Sequence, residues 1–153
     1  MTSLNSTNKE SKSVDKKISN RRKSREFLLQ ALYQWQISKT SANSIKQQFA
    51  ANPVFANSKL DSDYFNELLV GIIENSSQLD EEISKVIDRS LHSISIVELS
   101  ILRMSCYELT NKHDIPYKVV INEAIELSKR YGGSHSYKYV NGILDKLAIS
   151  LRD

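Results

Sequence analysis

Proline and glycine are scarce, two and four residues among 153. Both break helices, so their scarcity favours an all-α chain over a turn-rich β fold. Cysteine is scarcer still. The single Cys106 can form no internal disulfide and lies in an apolar helical run. It reads as a small buried hydrophobe in a reducing, cytoplasmic setting. No apolar run reaches the ~18 residues of a membrane span. The polar N-terminus lacks the apolar stretch of a signal peptide. The length suits one domain, and 40% hydrophobic residues suffice for a modest core.

Catalytic signatures are also missing. His92, His113 and His135 are widely spaced, and none pairs with a second His or Cys at metal-ligand spacing. Gly132-Gly133 is followed by no Gly-Lys-Ser/Thr, so a helix stop explains it better than a phosphate loop. Glu123 and Glu126 sit three apart, with no third group placed to complete a carboxylate site; a solvated or partner-facing patch is the simpler reading. The chain therefore carries no expected metal, cofactor or enzymatic centre, and a binding surface is what remains.

Charge is present, and it is lopsided. The net charge is +3. Residues 1–25 carry eight Lys or Arg and two acids, or +6, against 13 and 16 over the rest, or −3. Such a basic end is a common mark of a polyanion-binding arm. Residues 1–19, rich in Ser, Asn, Thr and Lys, are expected to form a disordered basic tail. Helix 1 then runs from Arg21 to Ser38, with Phe27, Leu28, Ala31, Leu32 and Trp35 as its core face. Arg21, Arg22, Lys23 and Arg25 would crowd its first turn. There the helix dipole disfavours cations by a few tenths of a kcal/mol each, which suggests an external anion.

Further helices are expected from Ser41 to about Ala51, from Asp61 or Ser62 through Ile73, and from Leu79 to Ile87, with a loop over 52–60. A fifth, capped by Ser93 or by Ser95 with Glu98, has apolar residues on more than one face and should lie centrally. Two closing helices follow. Tyr117–Tyr131 starts at a cap by Asp114 with Pro116 in its first turn, and Gly132-Gly133 ends it in a left-handed conformation. The last runs from about Ser134 to Leu151 on a stripe of Tyr137, Val140, Leu144, Leu147 and Leu151. Lys138 and Tyr139 fall in its first turn. An aromatic beside a cation can stack a base while the cation holds a phosphate, though a helical tyrosine more often packs.

Two stretches together resemble one family. Arg21-Arg22-Lys23-Ser24-Arg25-Glu26 with Gln30-Ala31-Leu32-Tyr33-Gln34-Trp35-Gln36 resembles the start of the NusB family. Pro116-Tyr117-Lys118-Val119-Val120-Ile121-Asn122-Glu123-Ala124-Ile125-Glu126-Leu127 and Lys138-Tyr139-Val140-Asn141-Gly142-Ile143-Leu144-Asp145-Lys146 resemble its end. The resemblance covers roughly residues 20–150; over 40–90 only the helix pattern and length match. It implies an all-α fold of seven helices in two packed three-helix bundles. That gives a single domain over 20–153, with subdomains about 20–77 and 78–152.

The resemblance also implies a non-enzymatic transcription antitermination factor. Such a factor binds boxA RNA of ribosomal RNA transcripts as a heterodimer with the ribosomal protein NusE, in an RNA polymerase complex with other Nus factors. Carried over residue by residue, Arg21, Arg22, Lys23, Arg25, Lys138 and Tyr139 are implied to contact RNA, with Tyr33 and His135 as modulators. The family usually has phenylalanine where Tyr139 stands, and often an acid in the elbow where this chain has Ser134-His135-Ser136. An acid would repel RNA, so His135 is expected to permit tighter binding. Two rivals stay open: an RNA-docking module of the kind fused to ribosomal-RNA cytosine methyltransferases, and a homodimer, since some members dimerise.

Overall fold

The computed structural model describes the backbone of residues 2–152 and the side chains of residues 11–152. Eight α-helices are present among them, and no strand: α1 Thr2–Ser38, α2 Ala42–Ala51, α3 Pro53–Ala56, α4 Ser62–Glu74, α5 Ser76–Ser84, α6 Ile96–Asn111, α7 Tyr117–Tyr131 and α8 Ser136–Arg152. A short 3-10 turn, Leu91–Ser93, precedes α6. The all-helical expectation holds, with one helix more than the seven read from sequence. The addition is α3, inside the expected loop. Asn52 ends α2 and immediately starts α3, its side chain accepting the Val54 N–H at 2.9 Å, with Pro53 at the first position.

The local signals at the other helix ends are mixed. Asp61 caps α4 by accepting the Tyr64 N–H at 3.0 Å, and Ser95 caps α6 by accepting the Glu98 N–H at 3.2 Å. Asp114 does not cap α7; Pro116 occupies the capping position and makes no side-chain bond. The glycine elbow is not left-handed, since Gly132 has φ −91° and no glycine among the described residues has positive φ. Glycine is needed there for space: a Cβ on Gly132 would lie 2.7 Å from the Ser128 carbonyl oxygen and from the Ser136 Cβ.

The largest departure is at the start. α1 reaches back to Thr2, so the tail expected to be disordered over 1–19 is helical where the structure describes it. Residues 2–20 contain neither Pro nor Gly. Once the packed half of α1 exists as a nucleus, each added residue gains a backbone bond at little cost. Residues 11–19 are exposed throughout.

The helices form two bundles. In the first, α1, α2 and α4 meet around Phe27, Phe49, Phe55 and Phe65, whose rings lie 4.9–6.4 Å apart at tilted or edge-on angles. In the second, α6, α7 and α8 pack together, with α5 against α6. α6 is the shared element and also touches α1 and α4. Its residues Leu99 to Cys106 are all buried, which bears out the central place its apolar pattern predicts. A single hydrophobic cluster therefore runs through both bundles. Arg152 closes the second from below, donating to the carbonyls of Glu108, Leu109, Lys112 and Ile115 at 2.6–3.1 Å. It thereby satisfies the orphan acceptors at the end of α6 and the turn after it.

Candidate nucleic-acid interface

Successive residues of an α-helix step about 100° around its axis, so the four cations between Arg21 and Arg25 cannot share a face. The helix also begins well before them, so they lie in its interior and the dipole argument for an external anion no longer applies. What each can do depends on where its side chain goes.

Arg25 turns inward and is 4% exposed. Its Nη2 donates to Glu108 Oε2 at 2.8 Å and its Nε at 3.2 Å, and the Tyr64 hydroxyl donates to the same carboxylate oxygen. Burial alone would lower the Arg25 pKa, but the charge and hydrogen bonds of Glu108 outweigh it and hold the guanidinium ionised. Burial, reinforced by the Glu108 charge, raises the Tyr64 hydroxyl above its ordinary value. This triad ties α1, α4 and α6 together at the junction of the bundles. Arg25 thus belongs to the core and not to the RNA-facing group where the sequence placed it. Arg21 is intermediate: its guanidinium lies 4.5 Å above the Tyr64 ring and 3.9 Å from the Asp61 carboxylate.

Arg22 and Lys23 reach the surface. Arg22 Nε donates to Glu123 Oε1 of α7 at 2.8 Å, and that hydrogen bond and charge raise the Arg22 pKa. One turn on, Glu26 pairs with Arg130 of α7 and with Lys23 at 3.3 Å. These pairs run α1 alongside α7. Between the two helices lies an open groove of about 660 Å³ lined by Arg22, Glu26, Asn122, Glu123, Lys129 and Arg130, among others. A depression of about 360 Å³ adjoins it, where Ser19, Lys23, Ser58 and Lys59 join Arg22 and Arg130.

The groove holds both signs of charge, but not at the same depth. The Arg22 and Arg130 side chains are 63% and 62% exposed; those of Glu123 and Glu26 are 12% and 16%. The Glu123 and Glu26 carboxylates sit low and hold the guanidiniums up, whereas Glu126, 70% exposed and 3.9 Å from Lys129, stands at the rim, so the rim is mainly cationic with one acid in it. Each guanidinium keeps N–H groups beyond those its glutamate engages, in the planar fork that suits a phosphate.

Lys138 and Tyr139 part company. Tyr139 is half-buried, the Arg89 guanidinium covers its ring at 4.5 Å, and its buried hydroxyl has no partner among the described residues. Burial raises the pKa of that hydroxyl. Two other tyrosines lie against groove cations: Tyr137, with Lys129 at 5.3 Å and Lys138 at 5.9 Å from its ring, and the exposed Tyr131, with the Arg130 guanidinium at 5.4 Å. The sequence stripe had assigned Tyr137 to the core; it is half-buried. His135 is exposed in the elbow between α7 and α8. Tyr33, 42% exposed, lies three turns along α1 on the side of Arg22.

Sequence reasoning missed Lys59, Lys129 and Arg130. The adjacent pair Lys129-Arg130 in the last turn of α7 was a readable signal; Lys59 gave none, because only the fold brings it to α1. The described residues include no cluster of three or more His, Cys, Asp or Glu able to hold a metal ion, and no helix long and apolar enough to cross a membrane.

A family model described as the NusB family matches residues 22–148. The transcription antitermination protein NusB of Alcanivorax borkumensis is 50% identical over 132 residues, covering 86% of this chain and 87% of that protein. The protein of the same name from Photobacterium profundum is 42% identical over 144 residues, covering 86% and 95%. Among solved structures, T. maritima NusB superposes with a TM-score of 0.76 at 34% identity, covering 87% of this chain and 93% of that one.

Proposed function

The chain belongs to the NusB family, and from that premise we propose that it is an RNA-binding transcription antitermination factor that uses the α1–α7 groove. It binds boxA-type RNA of ribosomal RNA transcripts together with NusE and acts in the cytoplasm on transcribing polymerase with other Nus factors. It works by binding and performs no reaction. The observation that carries this reading is the pair of exposed guanidiniums, Arg22 and Arg130, raised on enclosed glutamates and flanked by Lys23, Lys59 and Lys129.

In this reading Arg22, Lys23, Lys129, Arg130 and Lys138 hold phosphates, and Tyr137 offers a stacking face beside them. Arg21 and Arg25 support the site from below. Tyr139 can stack a base only after Arg89 swings aside. Four or five phosphate contacts on single-stranded RNA give a salt slope of roughly −3, at about 0.7 per contact. Each stacked base adds on the order of 1–3 kcal/mol. Neither contribution alone is both tight and selective, which supports a second protein completing the surface.

The test is a titration of boxA-type and scrambled RNA, with and without NusE. Selective binding that NusE tightens, and that Arg22→Ala with Arg130→Ala weakens at least tenfold, is expected. Equal binding of both RNAs, indifferent to NusE, would reduce the groove to a polyanion patch. His135→Asp, which sets an acid in the elbow, should lower boxA affinity; unchanged affinity would remove His135 from the site.

A further inference from the structure

We propose that the solvent-exposed part of α1 ahead of the bundle, residues 11–20, is an RNA-binding arm that holds backbone phosphates of the strand flanking the element in the groove. The proposal rests on the groove reading above and extends it along the molecule. The side chains of residues 11–19 are all exposed, so they are open to a ligand. Lys12, Lys16, Ser19 and Lys23 follow at spacings of four, three and four, which sets them on one face of a continuous helix. The lower end of that line is already in the site: Ser19 and Lys23 line the depression beside Arg22, Lys59 and Arg130. Asp15, three residues after Lys12 and four before Ser19, borders the same face, so the row carries one acid at its edge.

From Lys12 to Lys23 the helix rises about 16 Å, at about 1.5 Å per residue. That spans roughly five stacked nucleotides at about 3.4 Å each. A row of flexible ammonium groups with no aromatic among them fits phosphates rather than bases. It would therefore add affinity and orientation without adding sequence preference. The arm also lies outside residues 22–148, the part that matches the family model.

The experiment uses the full chain, as wild type and as Lys12→Ala/Lys16→Ala. Alanine keeps the helix, so loss of charge is separated from loss of structure, and circular dichroism checks this. A Lys46→Ala/Lys146→Ala protein, losing the same charge from α2 and α8, is the control. Each is titrated with the boxA-type element alone and with the element extended by about six nucleotides on either side, at 50 and 200 mM salt.

Wild type should bind the extended RNA more tightly, and the arm variant should lose most of that gain. Two lost phosphate contacts lower the salt slope by about 1.4, so the gap between wild type and arm variant should narrow about sevenfold from 50 to 200 mM. Wild-type affinity and slope in the arm variant would overturn the proposal. So would an equal loss in the control, which would mean diffuse net charge. If wild type binds scrambled and boxA-type RNA alike, the groove reading fails, while the slope difference on the extended strand still decides the arm.

Discussion

Truncating Arg25 to methionine should destabilise the fold while leaving the cationic rim in place. The substitution keeps most of the aliphatic volume and removes the guanidinium, stranding the Glu108 carboxylate with the Tyr64 hydroxyl as its remaining partner. The two side chains are 5% and 3% exposed, so solvent cannot compensate. Breaking one side of such a buried pair costs about 3–5 kcal/mol. With a urea m-value near 2 kcal/mol/M, the unfolding midpoint should fall by about 1.5–2.5 M. Replacing both partners, Arg25→Met with Glu108→Leu, should recover most of the stability, because no charge is left buried. A single variant within 1 kcal/mol of wild type would refute this placement. Arg25 would then be a solvated cation, and its place among the RNA contacts would have to be restored.

Three further outcomes follow from the same geometry. Arg152→Ala removes charged donors from four carbonyls and should cost about 2–4 kcal/mol in urea unfolding; lysine should not rescue it, lacking the planar fork. The Cys106 thiol, pushed up to about 12 by burial and the nearby Glu82 charge, should resist alkylation in the native protein. Because its folded pKa lies above the ordinary 9.0, its contribution is fully present below pH 9 and is lost as pH rises from 9 towards 12; unfolding followed across that range should show declining stability, with Cys106→Ala less affected. Tyr139→Phe removes a buried hydroxyl that has no partner and should be neutral or stabilising by up to about 1 kcal/mol, measured by thermal unfolding; a loss above 1 kcal/mol would mean the hydroxyl is hydrogen-bonded.

The helices that pack were legible because packing writes a period into the sequence. The bounds of α7 match the expected Tyr117–Tyr131, and α6 is central because its apolar residues run all around it. The features misread were those that leave no apolar period. α3 is a single turn made by a cap and a proline, too short to carry one. The α1 extension has almost no apolar residues to repeat, and its helicity propagates from a nucleus that only the packed half supplies. The elbow glycines were recognised as a stop for the wrong reason. Crowding by Ser128 and Ser136 is a tertiary fact, and composition cannot distinguish it from a left-handed turn.

The site was legible as a composition but not as a surface. Arginines four residues apart lie about 40° apart on a helix and three apart about 60°, so Arg21 and Arg25 share a side, over the Tyr64 ring. Arg22, one step from Arg21, emerges towards α7. Counting cations therefore overstates the interface, and the apolar stripe of α1 was the available corrective: Leu28 and Leu32 continue the side on which Arg25 lies, and both are buried. The opposite error arises across helices. Glu26 and Glu123 look like repulsive neighbours for an RNA ligand when read one residue at a time. In the fold they lie beneath Arg130 and Arg22 and set where those guanidiniums stand. An acid at the rim opposes a polyanion, whereas an acid under the rim orients the cation that binds it. That difference in depth, set where side-chain ion pairs bridge the groove between α1 and α7, decides whether a mixed-charge stretch can hold a phosphate backbone.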